Sequence, residues 1–214
     1  LQPHWQLVDP VGDATVTSTD TSTLVSLPEG SDHDLFPGAN LAPRLRQAGP
    51  LGNFGVEAKF ESVLTSRFQL QGVVVEESDD TFLRFEVHHD GTGVRAYVLS
   101  VVDGVPTQQH YGNLPASAEH YVRVQRSGDT WTMSHSIDDL IWSPVVSFDA
   151  AIESVYVGPY IGNTATGTAA PPAFIGSIDY FFNLDTPIDD DGGLGPDVDP
   201  PVISALASDV GSPT

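Results

Sequence analysis

The sequence predicts an all-β fold, a sandwich or a barrel. Three observations carry this. Apolar and polar residues alternate with period two along many short stretches. Turn residues separate those stretches at about 8–12-residue spacing, as in sandwiches and barrels. No window longer than about ten residues repeats its apolar positions at helical spacing.

The elements follow in order. Strands are expected near 14–18 and 22–27. Val56, Ala58 and Phe60 then alternate with Glu57, Lys59 and Glu61, so one face meets a core and the other meets water. Residues Leu70 to Val75 are apolar apart from Gln71 and Gly72, which marks a central strand covered on much of both faces. Leu83, Phe85 and Val87 point one way, and Phe82, Arg84, Glu86 and His88 the other. Val122 and Val124 alternate with Tyr121, Arg123 and Gln125. Further strands are expected near 94–101, 131–136, 145–148, 154–161 and 173–182. Asp90-Gly91, Asp103-Gly104 and Ser127-Gly128-Asp129 are hairpin signals. Gln108-Gln109-His110-Tyr111 has no strand pattern and reads as a loop.

No linker interrupts this pattern before residue 184, so a single sandwich over residues 3–186 fits better than two small domains. Residues 187–200 are rich in Asp, Gly and Pro and read as an extracellular linker. Residues 201–214 alternate again and resemble the truncated start of a fibronectin type III-like module. The chain starts at Leu1 and lacks a signal peptide, as expected of a mature protein or a fragment of a longer secreted or cell-surface one.

Composition narrows the partners. The chain has 29 acidic residues against 8 basic ones, a net charge of −21, and Lys59 is its single lysine. Such a surface is repelled by phosphate, so no nucleic-acid partner is expected. No apolar run approaches the length of a membrane span, so no membrane insertion is expected either. The acidity suits a solvated surface, adaptation to high salt, or loading with calcium. With no cysteine in the sequence, disulfides and thiolate chemistry are excluded. A monomer is expected.

Catalytic signatures are weak. Retaining glycosidases of sandwich architecture set two carboxylates about 5–5.5 Å apart. Glu57 and Glu61 share a face, but Lys59 sits between them; Glu76 and Glu77 point to opposite faces, and Glu86 stands alone. A lyase would need Gln71, Arg84, His88, Tyr97 and Tyr160 to converge, yet the Q-(I/V)-H and Tyr-x-Lys-x-Gly patterns of alginate lyases are missing. No H-x-H or H-E-x-x-H supports zinc. No P-loop, G-x-G-x-x-G or G-x-S-x-G is present. Loop aspartates favour calcium as a structural ion, with Asp9, Asp13 and Asp179 as candidates where the first and last strands meet.

Binding is the stronger reading. Phe82, Arg84, Glu86 and His88 form one strand face, and Gln71, Arg123 and Tyr97 or Tyr160 could join it from neighbouring strands. Rings stack on the C–H faces of a sugar, and planar polar groups pair with its hydroxyls. Arg84→Ala is expected to abolish glycan retention and leave thermal stability nearly unchanged.

Ordered motifs carry a family resemblance. Trp5 and Asp13 are followed by His33-Asp34-Leu35-Phe36, Asn40-Leu41-Ala42-Pro43-Arg44-Leu45 and Phe54 to Phe60. Gln71 to Val75, Leu83-Arg84-Phe85, Tyr121 to Val124, Gly128 to Trp131 and Ile178 to Phe181 complete the series. Over about residues 4–184 the chain resembles the laminin-G-like, concanavalin A-like lectin/glucanase superfamily, in the branch related to the yeast regulation-of-enolase protein. The resemblance implies a jelly roll of two antiparallel sheets, often with a calcium ion and a glycan-binding concave face. The family's His-Asp and Asn-x-x-Pro-Arg-Leu segments map onto His33, Asp34, Asn40, Pro43 and Arg44, and the chain departs from the resemblance at Phe36, where many relatives carry Trp.

The combined reading is a non-catalytic carbohydrate-binding module of a secreted multidomain protein. It would hold polysaccharide through Arg44, Gln71, Arg84, Glu86, His88, Tyr97, Arg123 and Tyr160. The alternatives are a calcium-stiffened adhesion or spacer domain and, behind it, a glycoside hydrolase or polysaccharide lyase.

Overall fold

The computed structural model describes residues 5–185. Its elements in chain order begin with β1 (Gln6–Val8), β2 (Thr15–Ser18), β3 (Thr23–Leu27), β4 (Leu35–Phe36), β5 (Ala39–Asn40) and β6 (Arg44–Ala48). Next come β7 (Phe54–Phe60), β8 (Gln69–Glu76), β9 (Phe82–His89), β10 (Val94–Val102) and β11 (Val105–Asn113). The series closes with β12 (His120–Ser127), β13 (Thr130–Ser136), β14 (Ser143–Asp149), β15 (Tyr156–Asn163) and β16 (Phe174–Asn183). No helix occurs among the described residues.

The strands build two antiparallel seven-stranded sheets packed face to face as a jelly-roll sandwich. The first runs β1-β6-β15-β8-β9-β10-β11 and the second β14-β13-β12-β7-β16-β3-β2, with β4 and β5 as a separate small hairpin. The hairpin turns are where the sequence puts them. Asp103 and Gly104 link β10 to β11 with φ of 51° and 75°. Two successive positive φ angles match the right-handed twist of the strands they join.

The core between the sheets is filled by the alternate residues that periodicity selects. Val73, Val75, Leu83, Phe85 and Val87 of the first sheet meet Val56, Ala58, Phe60, Val122, Val124 and Phe181 of the second. Trp131 is fully buried, lies edge-on to Phe54 and donates its indole N–H to the Ala150 carbonyl at 3.0 Å. Each such large apolar side chain stabilises the fold by about 1.5–3 kcal/mol when removed from water.

One face departs from expectation. The residues of β9 opposite the core, Phe82 to His88, do not form an open wet surface; Phe82, Arg84, Glu86 and His88 are all buried. The chain between β3 and β6 crosses over them. It brings Leu35 and Ala42 onto Val74, Phe82, Leu99, Val101 and Tyr160 to form a second apolar cluster. The crossing is anchored by His33, whose Nδ1 and Nε2 lie 2.7 Å from Asn163 Oδ1 and 2.6 Å from Asp13 Oδ1. Backbone bonds from Leu41 and Ala42 to the Asp34 carbonyl close the loop.

Two further expectations are corrected, and one strand appears that the sequence reading did not assign. Gln108 to Tyr111 is part of the edge strand β11, not a loop. Arg44 to Ala48 forms β6, which had no period-two signal because Arg44 and Gln47 are buried polar residues within it. Gln71 pairs with Val87 and Ile161, both core residues, so its side chain points between the sheets and away from the outer face. The linker at 187–200 and the module start at 201–214 lie outside the described residues.

Candidate functional site

Strand register places one row of residues across the outer face of the first sheet. Arg44, Tyr160, Gly72, Glu86, Tyr97 and Tyr111 are successive partners on β6, β15, β8, β9, β10 and β11. Gly72 is the gap in that row. A Cβ there would sit 3.0 Å from Tyr160 Cε1 and run into the Phe85 carbonyl. The missing side chain lets the Tyr160 ring lie across β8 and donate its hydroxyl to Glu86 Oε2 at 2.7 Å.

Arg84 organises the floor. Its Nη1 donates to Asp34 Oδ1 at 2.7 Å and to the Leu35 carbonyl at 2.6 Å. Its Nε donates to the Tyr160 hydroxyl at 3.1 Å, and Nε and Nη2 both engage Glu86 Oε2. His88 Nδ1 lies 2.8 Å from the other Glu86 oxygen. Burial alone would push the Glu86 carboxyl up, but the Arg84 charge and the neighbouring His88 outweigh it and hold the pKa down at about 2. Burial dominates at Asp34 and raises its pKa, with the Arg84 charge opposing. Burial also raises Tyr97.

Above this floor opens a pocket of about 550 Å³. Arg84, Glu86, His88 and Tyr97 of the expected set line it, together with Asp34, Phe36, Arg67, Phe68, Asp90, Gln108, Tyr111 and the Thr164–Thr166 loop. Four aromatic rings surround it. Phe36 and Tyr111 are 41% and 49% exposed. Tyr97 and Tyr111 stand around His88, with ring centroids 5.9–6.3 Å apart. Phe68 holds φ at 66°, a left-handed backbone that a bulky residue adopts only when its surroundings impose it. Its N–H donates to the His89 carbonyl and its own carbonyl accepts from Thr164, which fixes the ring at the rim. A crevice between the edges of β11 and β14 has a similar volume, about 580 Å³, but no arginine, phenylalanine, tyrosine or tryptophan lines it.

The remaining expected residues are elsewhere. Tyr160 is fully buried beneath the floor and positions Glu86. Arg44 is buried against Glu76 with Nε 2.8 Å from Oε1, outside the pocket. Gln71 faces the core. Arg123 belongs to the other sheet; its Nη2 lies 2.6 Å from Glu57 Oε2, and its guanidinium stacks 3.8 Å above the Trp142 ring. One binding face therefore cannot contain both Arg84 and Arg123.

The three aspartates proposed for calcium do not meet. Asp9 accepts from the Gly12 and Ala14 amides, Asp13 from His33, and Asp179 lies 2.7 Å from Lys59. Among the described residues no three His, Asp or Glu side chains converge as a metal set.

Sequence reasoning missed Arg67, Phe68, Asp90, Gln108 and Tyr111. Their only trace in the sequence is the Asp90-Gly91 turn, since the others sit on loops or on an edge strand without periodicity.

No family model and no curated protein matches the sequence. Solved structures resemble the fold. A functionally unknown protein from Saccharomyces cerevisiae aligns over 84% of this chain and 95% of its own, with 12% identity and a TM-score of 0.64. The GH43 protein BlXynB from Bacillus licheniformis aligns over 84% of this chain but only 36% of its own, with 13% identity and a TM-score of 0.67. The carbohydrate binding module CBM66 from Bacillus subtilis aligns over 80% of this chain and 91% of its own, with 11% identity and a TM-score of 0.50. At these identities what is shared is the β-sandwich itself.

Proposed function

We propose that the chain is a non-catalytic carbohydrate-binding module of a secreted or surface multidomain protein, and that it belongs to the concanavalin A-like sandwiches. The observation that carries the reading is the pocket on the first sheet. Four rings wall a rigid floor of guanidinium, carboxylate and imidazole, the arrangement that stacks on sugar C–H faces while pairing with hydroxyls. The structural likeness to a carbohydrate binding module and to GH43 proteins agrees with it.

Glu86 argues against turnover. A general acid or base works best with a pKa near the working pH, and an attacking carboxylate needs an open oxygen. Glu86 is held at about 2, and its oxygens are taken up by Arg84, Tyr160 and His88. The chain spans about a third of the GH43 protein it resembles, and a catalytic partner domain would supply any chemistry.

The test is retention on immobilised polysaccharides and a glycan array, comparing the wild-type domain with Tyr111→Ala. Tyr111 is half-exposed at the rim. Its loss should cost roughly tenfold in affinity, about the worth of one stacked ring, with an unchanged melting temperature. Binding that ignores Tyr111 would remove this pocket as the site.

A further inference from the structure

Among the described residues, Arg67 is the one charged side chain of the pocket without an ion pair, and it carries more than a rim position. The chain has eight basic side chains and 29 acidic ones, so partners are abundant. Six of the eight are ion-paired: Arg44 and Arg46 with Glu76, Lys59 with Asp179, Arg84 with Asp34 and Glu86, Arg95 with Asp90, and Arg123 with Glu57. Arg126 donates to the Gly128 carbonyl. Arg67 makes no ion pair or hydrogen bond among the described residues.

Arg67 is exposed, and its side chain is oriented by packing of its stem and by a cation–π contact. Its stem lies over Gly91, where an added Cβ would come within 3.2 Å of Cδ. Its guanidinium lies 4.4 Å above the Phe68 ring, the residue whose backbone is left-handed. Both contacts are made at the pocket rim. A planar guanidinium in a pocket, with its N–H groups unspent, suits a carboxylate or sulfate, which it can engage bidentately. The acids inside the pocket are largely engaged. Asp34 and Glu86 share the one Arg84 charge, and Asp90 pairs with Arg95. On a chain of net charge −21, the charge of Arg67 brings this group of three acids and two arginines to neutrality while its own N–H groups stay unspent.

We propose that Arg67 makes the pocket selective for glycans bearing an anionic substituent, a carboxylate or a sulfate on the sugar. The inference rests on the carbohydrate-binding reading of the same pocket and adds its ligand class.

The experiment uses matched probes that differ only in charge. Glucuronoxylo-oligosaccharides are compared with their carboxyl-reduced counterparts, and sulfated agaro-oligosaccharides with their desulfated ones. Titrations run at about 0.15 M salt, where a Debye length of about 8 Å screens the overall negative charge. The wild-type protein should bind the charged member of one pair roughly tenfold or more tighter, the scale of one hydrogen bond to a charged group. The pair that discriminates identifies carboxylate or sulfate as the substituent. Arg67→Gln, which keeps part of the stem and removes the charge, should bind both members of each pair alike. Equal binding of both members by the wild-type protein, or a charge preference that survives in Arg67→Gln, overturns the role of Arg67 and leaves the carbohydrate reading standing. No binding of any of the four probes by folded wild-type protein overturns both.

Discussion

The Tyr160 hydroxyl donates to Glu86 Oε2 at 2.7 Å across the empty position of Gly72, so a residue two strands away fixes the floor of the pocket. Tyr160 also receives the Arg84 Nε–H, and thereby ties the guanidinium and the carboxylate into one rigid unit. Tyr160→Phe keeps the ring and removes this link. A buried hydrogen bond to a charged group is worth about 1.5–3 kcal/mol. Thermal unfolding should therefore fall by several degrees, and ligand affinity should fall with it. Unchanged stability would mean that Arg84 and His88 hold Glu86 without it.

Arg84 itself is a poor choice for a clean binding mutant. It is buried, and three of its nitrogens are spent on Asp34, Leu35, Glu86 and Tyr160. Removing one partner of a buried ion pair typically costs about 3–5 kcal/mol, because the other charge stays behind. Chemical denaturation of Arg84→Met should show a loss of that order. This replaces the expectation, drawn from the sequence, that truncating Arg84 spares stability.

Stability should fall with acid in two windows. His120 and His135 face each other in the core with Nδ1 and Nε2 3.0 Å apart, and burial lowers both pKa values from 6.5 to about 4. The unfolded chain then binds protons that the folded one refuses, so stability is full above about pH 6.5 and declines toward pH 4. Glu86, depressed from 4.5 to about 2, adds a second decline over that lower range as its native ionisation is lost. Unfolding free energy measured against pH should show the upper limb, and replacing both histidines by leucine should flatten it. A double variant with the same slope would place the upper window elsewhere.

Gln71 offers the opposite case, a position where the native residue costs stability. Both of its side-chain polar atoms are buried and without a hydrogen-bond partner, opposite Val87 and Ile161. An unmet buried polar group costs about 1–3 kcal/mol. Gln71→Met, of similar volume, should raise the melting temperature by a few degrees and leave ligand binding intact. A drop in either would show that the amide is used.

The sequence and the structure part company at identifiable places. Strands whose two faces differ in polarity announce themselves by alternation, and β7, β9 and β12 were legible for that reason, although the polar faces of β7 and β9 are themselves largely buried. Edge strand β11 lacks a core face along most of its length, and its pattern is nearly all exposed, so nothing in Gln108 to Tyr111 marked it. The site was half legible. Arg84, Glu86 and His88 lie on one face of one strand, where period two is sufficient; Tyr97 is their neighbour across β10. Gln71 misled because Leu70 to Val75 is apolar on both faces, so no alternation tells which way an isolated polar residue points. Arg123 misled because periodicity assigns a residue to a face of its own sheet and says nothing about which sheet that is. The loop-borne rim required the three-dimensional crossing of the chain.

The division between floor and rim also bears on how such a scaffold could be altered. The polar floor is carried by adjacent strands, whereas Phe36, Arg67, Phe68 and Thr164–Thr166 come from three separate connections that contribute little to the main core. Under the proposed reading, selectivity and folding thus occupy different residues. A combinatorial library confined to those connections could sample new recognition properties on a constant foundation, and the framework would tolerate the diversity as an antibody sandwich tolerates its variable loops.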